Sequence, residues 1–346
     1  MLQNEITVPT PLLRDDGQLN APGWCKRNLY IYNRDKIADS KWRIKEWDFY
    51  QISDGNYMVQ LNFFDISMAS ALTVSVLDLH TGKELASAMA VEPLTQNRSI
   101  MSTNPEKPFF FHRKMGGATV IFDVKDTTRR LYFNGKYKGK RLVIDMQADK
   151  LIDQESLTVA IPFRVPNKFF YTTKLNCMPT EGTVRLDGEA IVRFDRESAF
   201  TVLDWGRGCW PYSNMWFWGN GSTRLADGKL FGFELTWGFG NDINGTETAI
   251  MYDGKTHKIG RVFLELDPEV NDNWMQPWHF FSEDGRFDMT MVPFYDNKNL
   301  MMPMNLVGMK THQVHGLWSG KAVLDDGTEL KIENMYAFCE KVYNKW

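Results

Sequence analysis

The residues best suited to chemistry are concentrated between Leu203 and Gly221, in LDWGRGCWPYSNMWFWGNG. Asp204 and Arg207 stand there among glycines, which let a strand backbone bend or approach a ligand closely. Because a guanidinium matches a carboxylate in a planar pair, we predict that these two side chains share a polar cluster that orients a ligand. A buried pair that only ties a bulge is the alternative.

A stripe of large side chains follows this pair. With the two-residue period of a strand, five residues fall on one face, and that face is poorly suited to solvent. The five residues are Trp210, Tyr212, Asn214, Trp216 and Trp218. They form either plain core or the wall of a cavity for a flat or lipophilic ligand or a sugar face. We predict that they bind a ligand.

A second candidate segment, FGNDINGTETA, contains Asn241 and Glu247 on either side of an Asn-Gly pair. A hydrated hairpin tip is one interpretation. The preceding run, LFGFELTWGFG, is typical of a buried strand, so Glu247 could instead point back into a cavity shared with Asp204. Two carboxyl groups in one apolar pocket have separated pKa values and can act as acid and base.

The segment KEWDFY adds two further acids. Alternation places Glu46 and Asp48 on one face and Lys45, Trp47 and Phe49 on the other. With the apolar face inward, the acids would face solvent, and we expect this for at least one of them. If both faced a cavity, they would add carboxylates to the site.

The histidines are few, and their spacing predicts no metal site. His312 and His315 do not fall on one strand face, and no carboxylate lies at a recognised ligand spacing from either. His279 and His315 are candidates for a hydrogen bond in the core or for acid–base work, since imidazole titrates near neutrality. The absence of GxGxxG, GxxxxGK[ST], HExxH and GxSxG motifs predicts that no nucleotide cofactor or serine triad is used.

Composition excludes several protein classes. The chain has 346 residues, 43% hydrophobic and 24% charged, with a net charge of −3. These values are those of an ordinary globular protein and give no basic footprint for nucleic acid. No apolar run is long enough for a membrane span, and the N-terminus shows no secretory signal. The four dispersed cysteines are expected to be reduced thiols, so we predict a cytoplasmic location.

The turn signals indicate an all-β fold. Asp-Gly or Asn-Gly pairs favour the tight turns of β-hairpins, and short alternating runs flank most of them. These pairs begin at Asp16, Asp54, Asn134, Asp187, Asn220, Asp227, Asn244, Asp253, Asp284 and Asp326. No segment keeps a helical period over three turns. Residues Asp35–Lys45 and Ser99–Pro105 are the candidates for short helices or irregular loops.

We predict two β-barrel-like halves packed together, with residues 1–175 in the first half and 176–346 in the second. The prolines of IPFRVPNKFFY close a strand-rich first half, and the hairpin of EGTVRLDGEAIVRF opens the next. A single large twisted sandwich is the alternative.

Several motifs together resemble the DUF2804 family over essentially the whole chain. They are RIKEWDFY, LDWGRGCWPYSNMWFWG, GNDINGTETA and the ending HGLWSGKAVLDDGTELKIENMYAFCEKVYNKW. The matching positions of the most specific block are Asp204, Trp205, Gly206, Arg207, Gly208, Trp210, Pro211 and Tyr212. The family is distantly similar to the group of carotenoid 1,2-hydratase, tocopherol cyclase and AttH-like proteins. That similarity implies lipocalin-like halves and proton-transfer chemistry on lipophilic substrates, but no catalytic residue carries over by alignment.

Three functional hypotheses follow. The first is a cofactor-free hydratase, lyase, cyclase or isomerase that acts on a largely apolar small molecule, with Asp204 as acid or anchor and Glu247 as partner base. The second is a non-catalytic lipocalin-like binding protein with the same cavity. The third is a carbohydrate-active enzyme that uses paired carboxylates and tryptophan platforms.

Overall fold

The computed structural model describes residues 3–95, 101–302 and 306–346, and these residues form an all-β protein. Within them there is no α-helix, and the only helical turns are four short 3-10 segments. The 3-10 segments are Arg34–Lys36, Lys41–Arg43, Asp242–Asn244 and Pro268–Asn271. The first two lie in the region predicted to be helical or irregular. Residues 101–105 of the other such region are irregular, and the preceding part lies outside the described residues. The all-β prediction is confirmed.

Fifteen strands of the described residues precede residue 210. They are β1 (Thr10–Pro11), β2 (Gly23–Cys25), β3 (Tyr30–Ile31), β4 (Ile44–Ser53), β5 (Tyr57–Asp65), β6 (Ala69–Asp78), β7 (Lys83–Pro93), β8 (Phe109–Met115), β9 (Ala118–Val124), β10 (Thr128–Tyr137), β11 (Lys140–Asp149), β12 (Leu157–Pro162), β13 (Phe169–Leu186), β14 (Glu189–Phe194) and β15 (Phe200–Cys209).

Nine strands follow. They are β16 (Ser213–Arg224), β17 (Leu230–Trp237), β18 (Glu247–Tyr252), β19 (Lys255–Lys258), β20 (Val262–Leu264), β21 (Trp278–Ser282), β22 (Phe287–Met301), β23 (Gly308–Val323) and β24 (Glu329–Lys345).

The strands form two large sheets and one small parallel pair, β1 with β3. The first large sheet runs in the order β7-β6-β5-β4-β15-β13-β11-β10-β9-β8, with β12, β14 and β2 attached to it. It curls into a barrel-like half, and its two end strands meet where Arg113 on β8 contacts Glu92 on β7 at 2.5 Å. The second large sheet runs in the order β19-β18-β17-β16-β24-β23-β22-β21-β20 and forms the other half.

Each half has its own apolar interior, and a third cluster lies between the halves. Phe63, Phe122 and Trp205 are among the buried residues of the first interior, and Phe233 and Trp318 belong to the second. The third cluster contains residues from both sheets, including Phe170 of the first and Met251 of the second. The outer face of β4, β15 and β13 therefore packs against the outer face of β16, β17 and β18.

The sheets change later in the chain than expected. The predicted boundary between residues 175 and 176 lies inside β13, which pairs with β15 and β11 of the first sheet. The hydrogen-bonded sheet instead changes between Cys209 and Ser213. The division of the chain into two folding units stays a prediction.

Eight of the ten Asp-Gly and Asn-Gly pairs lie in turns or loops, as at Asp187 and Asp253, which have φ of 49°. The exceptions are Asn134, inside β10, and Asn220, inside β16. There the glycine serves close packing rather than a turn. A Cβ at Gly135 would lie 2.5 Å from the Phe133 ring, and one at Gly221 would lie 2.6 Å from the Ala337 Cβ.

Candidate active site between the two sheets

Strand alternation sends the side chains of β15 in two directions. Leu203, Trp205 and Cys209 belong to the interior of the first half. Asp204 points out of that half, toward the second sheet, because successive side chains of a strand alternate between faces. The β13 residue opposite Asp204 is Lys174, so a buried lysine and the carboxylate lie side by side on the same outer face.

Lys174 joins carboxylates from both sheets. Its Nζ lies 2.7 Å from Asp204 Oδ1 and 3.4 Å from Glu247 Oε2 on β18. Asp204 also accepts hydrogen bonds from the Trp47 indole at 3.1 Å and the Thr172 hydroxyl at 3.2 Å. Asp204 and Glu247, from different sheets, therefore contact the same lysine; the cavity that they were expected to share stays a prediction.

Two more glutamates lie close to this lysine. Glu234 on β17 is fully buried and accepts hydrogen bonds from Trp218 Nε1 at 2.8 Å and from Asn220. Glu340 on β24 accepts from Trp216 Nε1 at 3.3 Å and from Gln313. We call five residues the carboxyl cluster: Lys174, Asp204, Glu234, Glu247 and Glu340.

Burial dominates the electrostatics of this cluster. It raises the pKa of Glu234 to about 8 and those of Glu247 and Glu340 to about 7, because desolvation penalises the charged form and the Lys174 charge only partly offsets it. Burial alone would lower the pKa of Lys174, but the charges of Asp204, Glu247 and Glu234 outweigh burial and raise it. The three glutamates can therefore exchange protons near neutral pH.

Glu247 is 1% exposed, and Lys174 Nζ lies 3.4 Å from its Oε2. Burial raises the pKa of Glu247 by more than its contacts with Lys174 and Thr236 lower it. Burial favours the neutral form of a carboxyl group. A buried acid whose pKa lies near neutrality can pass a proton to a bound molecule.

Aromatic side chains surround the cluster and extend from it. Trp218 lies beneath Lys174, with Nζ 4.6 Å from the ring centroid, and packs edge-on against Phe49 and Phe338. Farther along, five rings from both sheets pack face to edge or stack at centroid distances of 4.8–5.8 Å. We call these five rings the aromatic wall: Trp47, Phe170, Trp210, Trp216 and Phe239.

The predicted tryptophans lie between the sheets, whereas Tyr212 does not. Tyr212 lies in the connection between β15 and β16, is 43% exposed, and donates to the carbonyl of Leu306. Asn214 donates to the carbonyl of Pro211 at 2.6 Å. The prediction of one continuous strand face was wrong because β15 ends at Cys209 and β16 begins only at Ser213, so Trp210 and Tyr212 precede the strand that contains Asn214, Trp216 and Trp218.

Arg207 does not join Asp204. It lies in the interior of the first half and is fully buried, with Nη2 2.8 Å from Asp48 Oδ1 and Nε 3.8 Å from Glu46 Oε1. It also donates to the carbonyl oxygens of Ser102 and Trp47. The predicted Asp204–Arg207 pair is wrong because an offset of three residues reverses the side-chain direction in a strand.

Glu46 and Asp48 are not at the surface. They are 0% and 6% exposed and lie inside the first half, where Tyr32 and Arg34 also bond to Glu46. The prediction that Glu46 and Asp48 share a face of β4 was correct, but the prediction that this face points to solvent was wrong. The other face, with Trp47, packs against the second sheet, so the acids point into the first half. These acids compensate Arg207 and do not reach the carboxyl cluster.

The remaining polar candidates lie elsewhere. Asn241 is exposed and bonds through its backbone to Pro162. His279 lies on the outer surface of the second sheet, where hydrogen bonds to Asp288 and Glu265 raise its pKa. His315 is fully buried, and its Nδ1 forms a hydrogen bond of 2.9 Å with the Tyr336 hydroxyl group. Burial lowers the pKa of His315 to about 3, so it is a neutral core residue.

Comparison with known proteins places this chain in a family. A family model with the description "Domain of unknown function (DUF2804)" matches residues 3–346. The chain belongs to the DUF2804 family. No curated protein matches it.

Two solved structures are similar to this DUF2804 chain. A putative AttH protein from Nitrosomonas europaea is 12% identical, with a TM-score of 0.49 over 90% of this chain and 95% of that one. Kievitone hydratase from Nectria haematococca is 13% identical, with a TM-score of 0.48 over 98% of this chain and 99% of that one.

Two surface clefts lie near the candidate site of this DUF2804 protein. One, of about 970 Å³, lies between the halves and is lined by Phe200 of the first and Tyr336 of the second. The other, of about 420 Å³, lies in the second half and is lined by Thr236, which is paired with Glu247 in the sheet. Neither cleft is lined by Asp204.

The described residues hold no group of His, Cys, Asp and Glu that could bind a metal ion, and no helix among them is long and apolar enough to cross a membrane.

Sequence reasoning missed Lys174, Glu234 and Glu340 in this DUF2804 chain. A usable signal existed for two of them: Lys174 and Glu234 each interrupt an otherwise apolar or β-branched run, FFYTTKL and LFGFELTW. A charge within a strand buried on both faces needs a partner, so such interruptions mark paired buried charges. Glu340 carries no such signal, since FCEKVY contains both signs.

Proposed function

We propose that this protein is a proton-transfer enzyme of the hydratase, lyase, cyclase or isomerase type, acting on a largely apolar small molecule held between the two sheets. One observation carries the proposal. The Lys174 ammonium lies between Asp204 and Glu247 in a desolvated, tryptophan-lined site. Carboxyl groups in such an environment are suited to general acid–base catalysis at neutral pH.

The roles follow from the surroundings of each carboxyl group. Glu247, whose pKa is raised to about 7 mainly by burial, donates a proton to an alkene carbon of the substrate. Asp204, held by Lys174, Trp47 and Thr172, accepts the proton released when water adds to the neighbouring carbon. The net reaction is addition of water to a double bond, and its reverse is dehydration.

The test begins with native mass spectrometry of the freshly purified protein to identify any retained compound. That compound and a panel of apolar alkenes and tertiary alcohols are then incubated with enzyme in oxygen-18 water. We expect label to enter the product with wild-type protein and with the control Glu333→Gln, an exposed carboxylate. We expect a loss of at least about 100-fold in Glu247→Gln and Asp204→Asn, the contribution of one general acid or base.

Near-ultraviolet circular dichroism of each variant separates loss of activity from loss of fold. Full turnover by Glu247→Gln would contradict the proposal. Tight binding of a compound with no chemical change in wild-type protein would replace it with the binding-protein alternative.

A further inference from the structure

Besides Lys174, a second buried lysine lies near the aromatic wall, and it has no counter-ion among the described residues. Lys45 on β4 is 2% exposed, and its Nζ lies 5.0 Å from the centroid of the Trp210 ring. Over the ranges that the structure describes, this ammonium contacts no carboxylate and donates no hydrogen bond. The other two lysines near the aromatic wall differ, because Lys174 contacts Asp204 and Lys168 pairs with Asp39.

Burying a cation without a counter-ion lowers the free energy of unfolding, because the charge loses its hydration. Burial lowers the pKa of Lys45 to about 8, and the neighbouring charges of Arg43 and Lys168 act in the same direction, opposed by Cys209 and Asp39. Lys45 is therefore mostly charged at neutral pH. A bound anion would compensate that charge.

The place of Lys45 in the sheet relates it to the carboxyl cluster. Lys45 is opposite Gly208 and Phe49 is opposite Asp204, so four residues of β4 separate the two positions, about 13 Å along the strand. Trp47 lies between them on the same face and packs flat over Gly206, where a Cβ would be 2.0 Å from the ring. A cation, an aromatic floor and a group of acids therefore follow one another in a line.

We propose that Lys45 binds the carboxylate head group of the substrate, which is an elongated apolar monoanion. The aromatic wall contacts the apolar body. Lys174 already contacts Asp204 and Glu247, which leaves Lys45 to bind the head group and so fixes the orientation. The reacting carbon then lies about 13 Å from the carboxylate. Only the position of the reacting carbon rests on the proposed function; binding of the carboxylate at Lys45 does not.

Calorimetric titration with dodecanoate and dodecanol tests the inference. We expect wild-type protein to bind the carboxylate at least about tenfold more tightly than the alcohol, the effect of one charge-assisted contact. Lys45→Met should abolish that preference, and Lys331→Met, at an exposed lysine, should leave it intact. Lys45→Gln serves as the second variant if the methionine variant does not fold.

The wild-type protein provides a test that needs no variant. Its preference for dodecanoate should fall as the pH rises through about 8, where Lys45 loses its proton. Equal affinities of the wild type for the two probes, binding of neither probe, or an unchanged preference in Lys45→Met would overturn the inference.

The two proposals fail separately. If Lys45→Met loses the preference for dodecanoate but no substrate is turned over by the wild type, the role of Lys45 in carboxylate binding is supported and the proposed reaction is not. If a neutral alkene is turned over and the wild type shows no preference for dodecanoate, the proposed reaction is supported and the role of Lys45 in carboxylate binding is overturned.

Discussion

Asp204 and Arg207 are three residues apart on β15, yet their side chains lie on opposite faces of the first sheet. Asp204 pairs with Lys174 at 2.7 Å between the sheets, and Arg207 pairs with Asp48 at 2.8 Å inside the first half. One strand thus serves two separate buried charge networks. The network between the sheets has access to both halves and carries the proposed chemistry, and the other compensates charge within a core.

The Arg207 network predicts a large stability effect without a direct effect on the site. Arg207→Met leaves Asp48 buried without its guanidinium partner, which typically costs about 3–5 kcal/mol of unfolding free energy. Urea denaturation measures this loss. The exposed variant Arg14→Met is the control, and a loss below about 1 kcal/mol would show that the network does not stabilise the fold.

The raised pKa of Glu234 predicts a pH-dependent stability. Its folded pKa, raised to about 8 chiefly by burial, exceeds the ordinary 4.5, so the folded state retains a proton that the unfolded state releases. This carboxyl therefore makes stability fall as the pH rises from about 4.5 to about 8. Glu234→Gln should flatten that slope, as measured by urea denaturation across this range. An unchanged slope would contradict burial as the cause.

The Trp47 indole packs flat against β15 because residue 206 is a glycine. A Cβ at Gly206 would lie 2.0 Å from Trp47 Cζ2, so Gly206→Ala must displace the indole from Asp204, at an overpacking cost of about 1–3 kcal/mol. We expect the Trp47 indole N–H resonance to shift in an NMR spectrum of nitrogen-15 tryptophan. Gly219→Ala, whose Cβ would meet only ordinary contacts, is the control. An unmoved Trp47 resonance would contradict this packing.

The unpaired Lys45 predicts a gain in stability on its removal. Because its folded pKa of about 8 lies below the ordinary 10.5, Lys45 destabilises the fold fully below pH 8, and the penalty disappears as the pH rises toward 10.5. Lys45→Met should raise the Tm at pH 7 by about 2 °C or more, and the gain should shrink at high pH. A lower Tm at pH 7 in a correctly folded variant would show that Lys45 has a stabilising partner.

Sequence patterns predicted the all-β fold because Asp-Gly turns and two-residue alternation are local signals. They also predicted correctly which residues share a face, as for Glu46 with Asp48 and Trp216 with Trp218. They did not predict which way a face points. Both faces of β4 are covered, so the rule that the apolar face points into the barrel failed.

The candidate site was only partly predictable for a related reason. Asp204 and Glu247 were identified from their local sequence, but Lys174 joins them through strand pairings that no local signal encodes. The chain passes from the first sheet to the second only after β15, because β13 and β15 together extend the first sheet well past the proline-rich segment that suggested a boundary.

The protonation state of Glu247 tests the central claim most directly. Infrared difference spectra of wild type minus Glu247→Gln, collected across neutral pH, isolate the carboxylic acid C=O band of this residue. The account predicts a band that is present at acidic pH and is lost with a midpoint of about 7. No acid band above about pH 5, which would mean an ordinary ionised glutamate, would contradict the assignment of Glu247 as the proton donor.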